Sequence, residues 1–283
     1  MREVSYFAPT EVGEAVNLLA EHGAKATVLS GGTDLMPKIN HYDLWPEVLV
    51  YIGGLGLDYV KEEDGKLVIG AATSTAQVAA NDLVAEKAGA LTAAACGSGS
   101  VAIRNSATIG GNIANASPAA DMAAPLLAMD AELRLVSTDG ERFVPVDDFF
   151  QGPHESVRQP GELLTEIHVP IPKGNTVFLK LGRRHAQTLS VANVAVQLVM
   201  DGDVCQDARI VLGSMAPTPL RCAEAEALIK GKKLDAERIA KCAAEAIAES
   251  SPIDDQRATA WYRQKAAKVL VARALAQAAG VES

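Results

Sequence analysis

The sequence predicts an α+β fold divided into two or three subdomains, and three observations carry that expectation. At 283 residues the chain is long for a single hydrophobic core. Short apolar runs closed by glycine pairs alternate with alanine-rich helical stretches over the first 173 residues. Composition shifts after Ile171-Pro-Lys-Gly174, where β-rich runs give way to helical ones, as in a small sheet covered by helices. The boundary is set at Lys173. This gives 1–173, with subdomains of about 1–55 and 56–173, followed by 174–283.

Taken in order, Glu11 and Glu14 stand in the first turn of a helix for which Thr10 is the expected N-cap. Val12, Ala15, Val16, Leu18 and Leu19 form its apolar face, and Gly23 closes it. Ala26-Thr-Val-Leu-Ser30 reads as a short buried strand running into Gly31-Gly32-Thr33-Asp34-Leu35. Val48–Ile52 is a second apolar run. Residues 57–64 and 66–72 read as a hairpin turning at Asp64-Gly65, a type I′ pair. Thr73-Ser-Thr75 is expected to cap one helix over 76–94.

Met122–Met129 is helical, and Ala131–Val136 alternates as a half-buried strand does before turning at Thr138-Asp-Gly140. Leu163-Leu164 and Ile167–Pro170 form a candidate strand pair. Strands are expected over 177–184, 191–200 and 208–212, and helices over 222–230, 235–249 and 257–279.

Composition narrows the function. Hydrophobic content of 48% with 22% charged residues is that of a soluble globular protein. A net charge of −9 argues against a binder of nucleic acid or anionic membrane, which needs a basic face. No apolar run approaches the ~18 residues of a membrane span, and the N-terminus has no signal-peptide core, so a cytoplasmic location is expected. Cys96, Cys205, Cys222 and Cys242 form no CxxC pair, and the five histidines show no ligand spacing; no metal site is expected in this chain.

Two stretches carry the candidate chemistry. Ser30-Gly-Gly-Thr-Asp-Leu35 follows a strand, so its consecutive backbone N–H groups can form an anion-binding nest, although it is not a P-loop. Thr108-Ile-Gly-Gly-Asn-Ile-Ala-Asn-Ala-Ser-Pro-Ala-Ala-Asp121 is a second glycine pair flanked by hydroxyls and amides. It reads either as an ordinary turn or as a second nest converging with the first on one pyrophosphate. Asp121 is an acceptor for ribose or ribityl hydroxyls, or a helix N-cap.

Lys180 either faces an electron-rich heterocycle, stabilising its reduced anionic form, or is a solvated strand lysine. Arg183-Arg184 reads as a surface or subunit contact rather than a catalytic pair. Gly97-Ser-Gly-Ser-Val-Ala102 matches GxGxxA but follows a helical stretch, so it is not a Rossmann fingerprint. There is no GxSxG, no HExxH and no Cys–His arrangement. No catalytic side chain is assigned, and a cofactor is expected to carry the chemistry.

In this order the two motifs resemble the FAD-binding medium subunit of the molybdenum hydroxylases, the family that includes the flavin subunits of carbon monoxide dehydrogenase and nicotinate dehydrogenase and the flavin domain of xanthine dehydrogenase. The likeness spans essentially the whole chain, taking in Ile103-Arg-Asn105, Glu162–Pro170, Lys180…Arg183-Arg184 and Asp255…Trp261-Tyr262-Arg263.

The resemblance implies a two-part FAD domain of the vanillyl-alcohol-oxidase (PCMH) type over 1–173, and a CO-dehydrogenase-flavoprotein-like α+β domain over 174–283. It implies FAD in this chain. Val28, Leu29, Ser30, Gly31, Gly32, Thr33, Asp34 and Leu35, with Thr108, Ile109, Gly110, Gly111 and Asn112, should hold its pyrophosphate. Asp121 should take the ribityl or ribose hydroxyls, the Leu164 backbone the adenine region, and Lys180 should lie near the isoalloxazine.

A large molybdopterin subunit and a small subunit with two [2Fe–2S] clusters are the implied partners, assembled as a dimer of heterotrimers. Electrons cross the clusters to the flavin and leave to an external acceptor. The alternative is a self-contained flavin oxidase or reductase of the same superfold. Two departures stand out. Ser98 replaces the aromatic residue that covers the adenine in the xanthine dehydrogenase branch, and Gln187 replaces an acid of that branch. Both bear on adenine stacking and on the acceptor. The cysteine-bearing insertion that holds an extra cluster in one branch of the family is absent.

Overall fold

The computed structural model describes residues 3–281, and the buried apolar side chains fall into three clusters, each built on its own sheet. The first sheet is parallel and three-stranded. β1 (Ser5–Phe7), α1 (Val12–His22), β2 (Ala26–Leu29), α2 (Leu35–Asn40) and β3 (Val48–Tyr51) pair in the order β1-β3-β2. Parallel neighbours need a crossover. Here α2 and the segment after it join the neighbours β2 and β3, while α1 links β1 to β2 across the sheet and buries Ala15, Val16 and Leu19 against Val48 and Val50. The N-cap is Glu11, not Thr10: the Thr10 amide instead donates to the Glu14 carboxylate at 3.2 Å.

The second unit contains β4 (Val60–Glu63) and β5 (Lys66–Gly70), then α3 (Thr75–Ala80), α4 (Asp82–Lys87), α5 (Gly89–Gly97), α6 (Val101–Ser106), α7 (Ile109–Ala114) and α8 (Ala123–Ala128). It continues with β6 (Glu132–Ser137), β7 (Gly140–Pro145), α9 (Val146–Phe149), β8 (Phe150–Gly152), β9 (Glu155–Ser156) and β10 (Leu163–Pro170). Its main sheet is antiparallel, in the order β4-β5-β10-β6-β7. The hairpin turns where expected, with Asp64 and Gly65 both at positive φ (51° and 72°).

Two expectations fail here. The single helix over 76–94 is three short ones. The Asn81 side chain accepts from the Val84 amide and restarts the helix as α4, and Ala88 leaves helical geometry at φ −140°. The strand pair at 163–170 is one strand. β10 runs through the centre of the sheet with a bulge between Leu164 and Glu166, pairing β6 on one side and β5 on the other.

The third unit holds β11 (Asn175–Gly182), β12 (Ser190–Asp201), β13 (Val204–Gly213), β14 (Leu220–Arg221), α10 (Ala223–Ile229), β15 (Lys232–Lys233), α11 (Ala236–Ala248) and α12 (Ala260–Ala279). Its antiparallel sheet runs β11-β12-β13-β14, with β15 on β13. Val194, Val196 and Leu198 face the helices of this unit, whereas Phe178, Ala195 and Val211 belong to the core of the second unit. A sheet covered on both faces explains why 191–200 is apolar almost throughout.

Candidate functional site

A cleft of about 1150 Å³ opens where the three units meet. One wall is β2 and the loop after it. A second comes from the 98–121 segment and the start of β10, and the third from residues 187–189, 214–217 and 251–257. The volume exceeds that of a typical drug-sized pocket and suits an extended dinucleotide.

The Ser30–Asp34 loop is built as a nest. Gly32 sits at φ +68°, in the left-handed region that glycine enters without a Cβ clash. Among the described residues, the backbone N–H groups of Gly31, Gly32, Thr33 and Asp34 have no protein acceptor. Four free amides on one turn that lines the cleft are the donor set an anion needs. Gly31 has a different task. A Cβ there would lie 1.7 Å from the Ser106 carbonyl oxygen, so the missing side chain is what lets the two loops touch. The Ser30 and Thr108 hydroxyls then meet at 3.1 Å.

The second glycine stretch is not a nest. It is the helix α7, capped by Thr108, whose hydroxyl accepts from the Gly111 amide at 3.1 Å. The Ile109, Gly110 and Asn112 amides are spent on the Thr73, Ala71 and Thr108 carbonyls. Gly110 is small for packing: a Cβ would come within 2.6 Å of Ala71. α7 offers the cleft the backbone of Gly110 and Gly111 and the side chain of Asn112. Asn112 lines it, and its Oδ1 is buried without a partner.

Asp121 is 6% exposed and lines the cleft. Its Oδ1 accepts from Ser190 Oγ at 2.6 Å, and its Oδ2 accepts from Lys180 Nζ at 2.6 Å and Ser98 Oγ at 3.3 Å. The residue before α8 is Met122, so Asp121 is not the helix N-cap. Lys180 also donates to the carbonyls of Gly97 (3.0 Å) and Thr188 (2.9 Å). Its three protons are therefore all committed, and the side chain stays off the cleft wall. It locks the Gly97–Gly99 turn and the 183–189 loop to Asp121 rather than presenting a free charge.

Of the other sequence-derived positions, Val28, Thr33, Asp34, Leu35 and Leu164 line the cleft, and Leu29 and Ile109 do not. Leu164 precedes the point where β10 meets β5, which pairs only from Glu166 onward. Ser98 binds Asp121, and the Gln187 amide donates to the Gly99 carbonyl at 3.1 Å with Gln187 at φ +49°.

Sequence reasoning missed several wall residues. Lys38 pairs with Asp34 at 2.6 Å and reaches Asn115 at 3.5 Å; its i,i+4 spacing from Asp34 was the available signal. His154, whose Nδ1 lies 2.9 Å from the Asn115 carbonyl, gave none. The third wall is ordered by Asp255. Burial opposes its ionisation, yet hydrogen bonds from the Arg257 amide and guanidinium, the Ala258 amide and Arg263 hold its carboxyl far below the ordinary range. Arg263 is 1% exposed and also donates to the Val191 and Ser214 carbonyls. The Asp-x-Arg spacing just ahead of α12 was the signal for this cluster.

Residues 2–172 match the family described as the FAD binding domain in molybdopterin dehydrogenase, and residues 177–278 the CO dehydrogenase flavoprotein C-terminal domain. The glyceraldehyde dehydrogenase medium chain of Sulfolobus acidocaldarius is 34% identical, covering 98% of this chain and 99% of that one. The carbon monoxide dehydrogenase medium chain of Afipia carboxidovorans is 35% identical over 96% of both. A solved carbon monoxide dehydrogenase from Hydrogenophaga pseudoflava, lacking the Mo-pyranopterin moiety of its cofactor, superposes with a TM-score of 0.95. It is 34% identical, covering 99% of this chain and 98% of that one.

Proposed function

Because the chain belongs to the family of FAD-binding medium subunits of molybdenum hydroxylases, we propose that the cleft between its three units is the seat of the FAD. The chain is the FAD-carrying electron-transfer subunit of such a complex, an oxidoreductase subunit whose molybdopterin and iron–sulfur centres lie in partner subunits. Bound there, FAD would supply the redox centre between the clusters of a partner subunit and an external acceptor.

The observation that carries the seat is the set of unpaired polar groups on the cleft wall: the four amides of Gly31–Asp34 and the buried Asn112 Oδ1. The amides are suited to the pyrophosphate, which they neutralise with oriented dipoles rather than a lysine. Asn112 Oδ1 accepts from a ligand hydroxyl. Asp121, with three donors already in place, keeps acceptor capacity for one ribityl hydroxyl and is held rigidly for it by Lys180 and Ser190. The open start of β10 at Leu163–Leu164 flanks the adenine end. Residues 1–173 form the FAD domain and 174–283 close the flavin end of the cleft.

The finer assembly is a heterotrimer with one large molybdopterin subunit and one small iron–sulfur subunit, paired into a dimer of heterotrimers in the cytoplasm. Among the described residues, no helix is long and apolar enough to cross a membrane. Titrating the purified full chain with FAD tests the seat. Binding should be saturable at one FAD per chain and weaken at least tenfold in Asn112→Ala. A chain that takes up no FAD would sink the proposal.

A further inference from the structure

The cation that the sequence points toward the flavin, Lys180, has no proton left to offer. The cleft wall carries a better-prepared one. Arg257 lies at the third-unit end of the cleft, its Nε and Nη2 both committed to Asp255 Oδ2 at 2.8 and 2.6 Å. Its remaining arm, Nη1, is buried without a partner. Behind it stands Arg263, fully buried, which spends Nη1 and Nη2 on carbonyls and on Asp255. Arg257 is the outer of the two, with 26% of its side chain exposed.

A second orphan stands on the same wall. Ser214 Oγ is buried and unpaired, on a residue held at φ +61° by its amide bond to the Pro118 carbonyl (3.0 Å). A non-glycine residue in that region is strained, so the surrounding contacts impose its position. The other wall cations are turned to bracing: Lys38 to Asp34 and Asn115, Arg104 to the Ser98 and Gly99 carbonyls, and Arg158 to the Gln159 and Glu162 carbonyls.

We propose that Arg257, clamped by Asp255 and flanked by Ser214, is the group that contacts the electron-rich edge of the bound flavin and favours its reduced, anionic form. This rests on the cleft being the FAD seat. A guanidinium aimed by a carboxylate at a developing negative charge needs no reorganisation when electrons arrive, and binds the reduced state more tightly than the oxidised one. The C-terminal unit thereby sets the potential of a cofactor whose phosphates the N-terminal unit holds.

The test measures the affinity of the full-length wild-type chain, Arg257→Gln and Ser214→Ala for oxidised and for reduced FAD, with folding checked by circular dichroism. Arg257→Gln should weaken the preference for reduced FAD about tenfold or more, which moves the two-electron midpoint potential ~30 mV more negative per tenfold. Ser214→Ala removes a hydroxyl with no partner in the protein, so the fold should hold while FAD affinity falls about threefold to tenfold. An unchanged reduced-to-oxidised ratio in Arg257→Gln, with FAD still bound, overturns the assignment and leaves the FAD seat standing. If Arg257→Gln does not fold, Ser214→Ala decides, and unchanged FAD affinity there overturns it. A wild-type chain that binds neither form of FAD overturns both the seat and the assignment.

Discussion

Gly31 decides the site by what it lacks. Its hypothetical Cβ would fall 1.7 Å from the Ser106 carbonyl oxygen, a backbone atom that cannot rotate away. Gly31→Ala should therefore push the first loop off α6 and α7, separating Ser30 from Thr108. FAD affinity is expected to drop at least tenfold, with a stability loss of about 1–3 kcal/mol, the usual cost of overpacking. FAD titration beside urea denaturation checks it; an alanine variant with normal affinity would show that the two loops act independently. Gly110 differs in kind, since its neighbour is Ala71 and its replacement strains the core before the ligand. Both pairs line the cleft. What separates them is which atoms lie opposite, and spacing along the chain does not record that.

Among the elements, β10 concentrates the titratable charge. At its entrance, the bidentate Arg142 hydrogen bonds hold Glu162 below the ordinary carboxylate range, against the opposing effect of burial. Within the strand, burial alone would raise Glu166, but hydrogen bonds with Tyr59 and His168 and the charge of Arg134 more than offset it, and the group ends below its ordinary value. A carboxylate with a depressed folded pKa stabilises the fold fully above its unfolded value, about 4.3, and loses that contribution as pH falls through the lower folded value. Thermal unfolding should thus become easier on acidification from about pH 5 to about pH 3. The Glu162→Gln/Glu166→Gln double variant should start less stable and fall less over the same interval; parallel curves would remove these groups as the cause.

The elements also show where pattern reading works. The C-terminal helices and the 191–200 strand follow from long unbroken apolar periodicity. α6 and α7 were missed because six residues hold under two turns, too few to establish a period. The break between α3 and α4 turned on one side chain, Asn81, hydrogen-bonding locally.

At the scale of the molecule, the site belongs to no single unit. One unit supplies free amides, another the buried Asn112 Oδ1 and the Asp121 carboxylate, and the last Ser214 and Arg257. The two glycine motifs could be located because each is local, although the second is a capped helix and not a nest. The third wall could not, because Ser214 and Arg257 reach the cleft only through the packing of β13 and the segment before α12 against the rest. Lys180 reaches the cleft only through Asp121, whose carboxylate it holds at 2.6 Å, and no spacing along the chain records that pairing.

The strand order β1-β3-β2 leaves β2 at the margin of its sheet, with Ala26, Thr27 and Val28 lining the cleft. A bare strand margin is a template on which another polypeptide can add. On the proposed seating, bound FAD would cover that margin, so the flavin-free chain is expected to self-associate more readily than the loaded one. Light scattering of the apo chain at rising concentration should reveal growing oligomers that dissolve on titration with FAD. Equal scattering with and without FAD would mean that the margin is shielded by the protein alone.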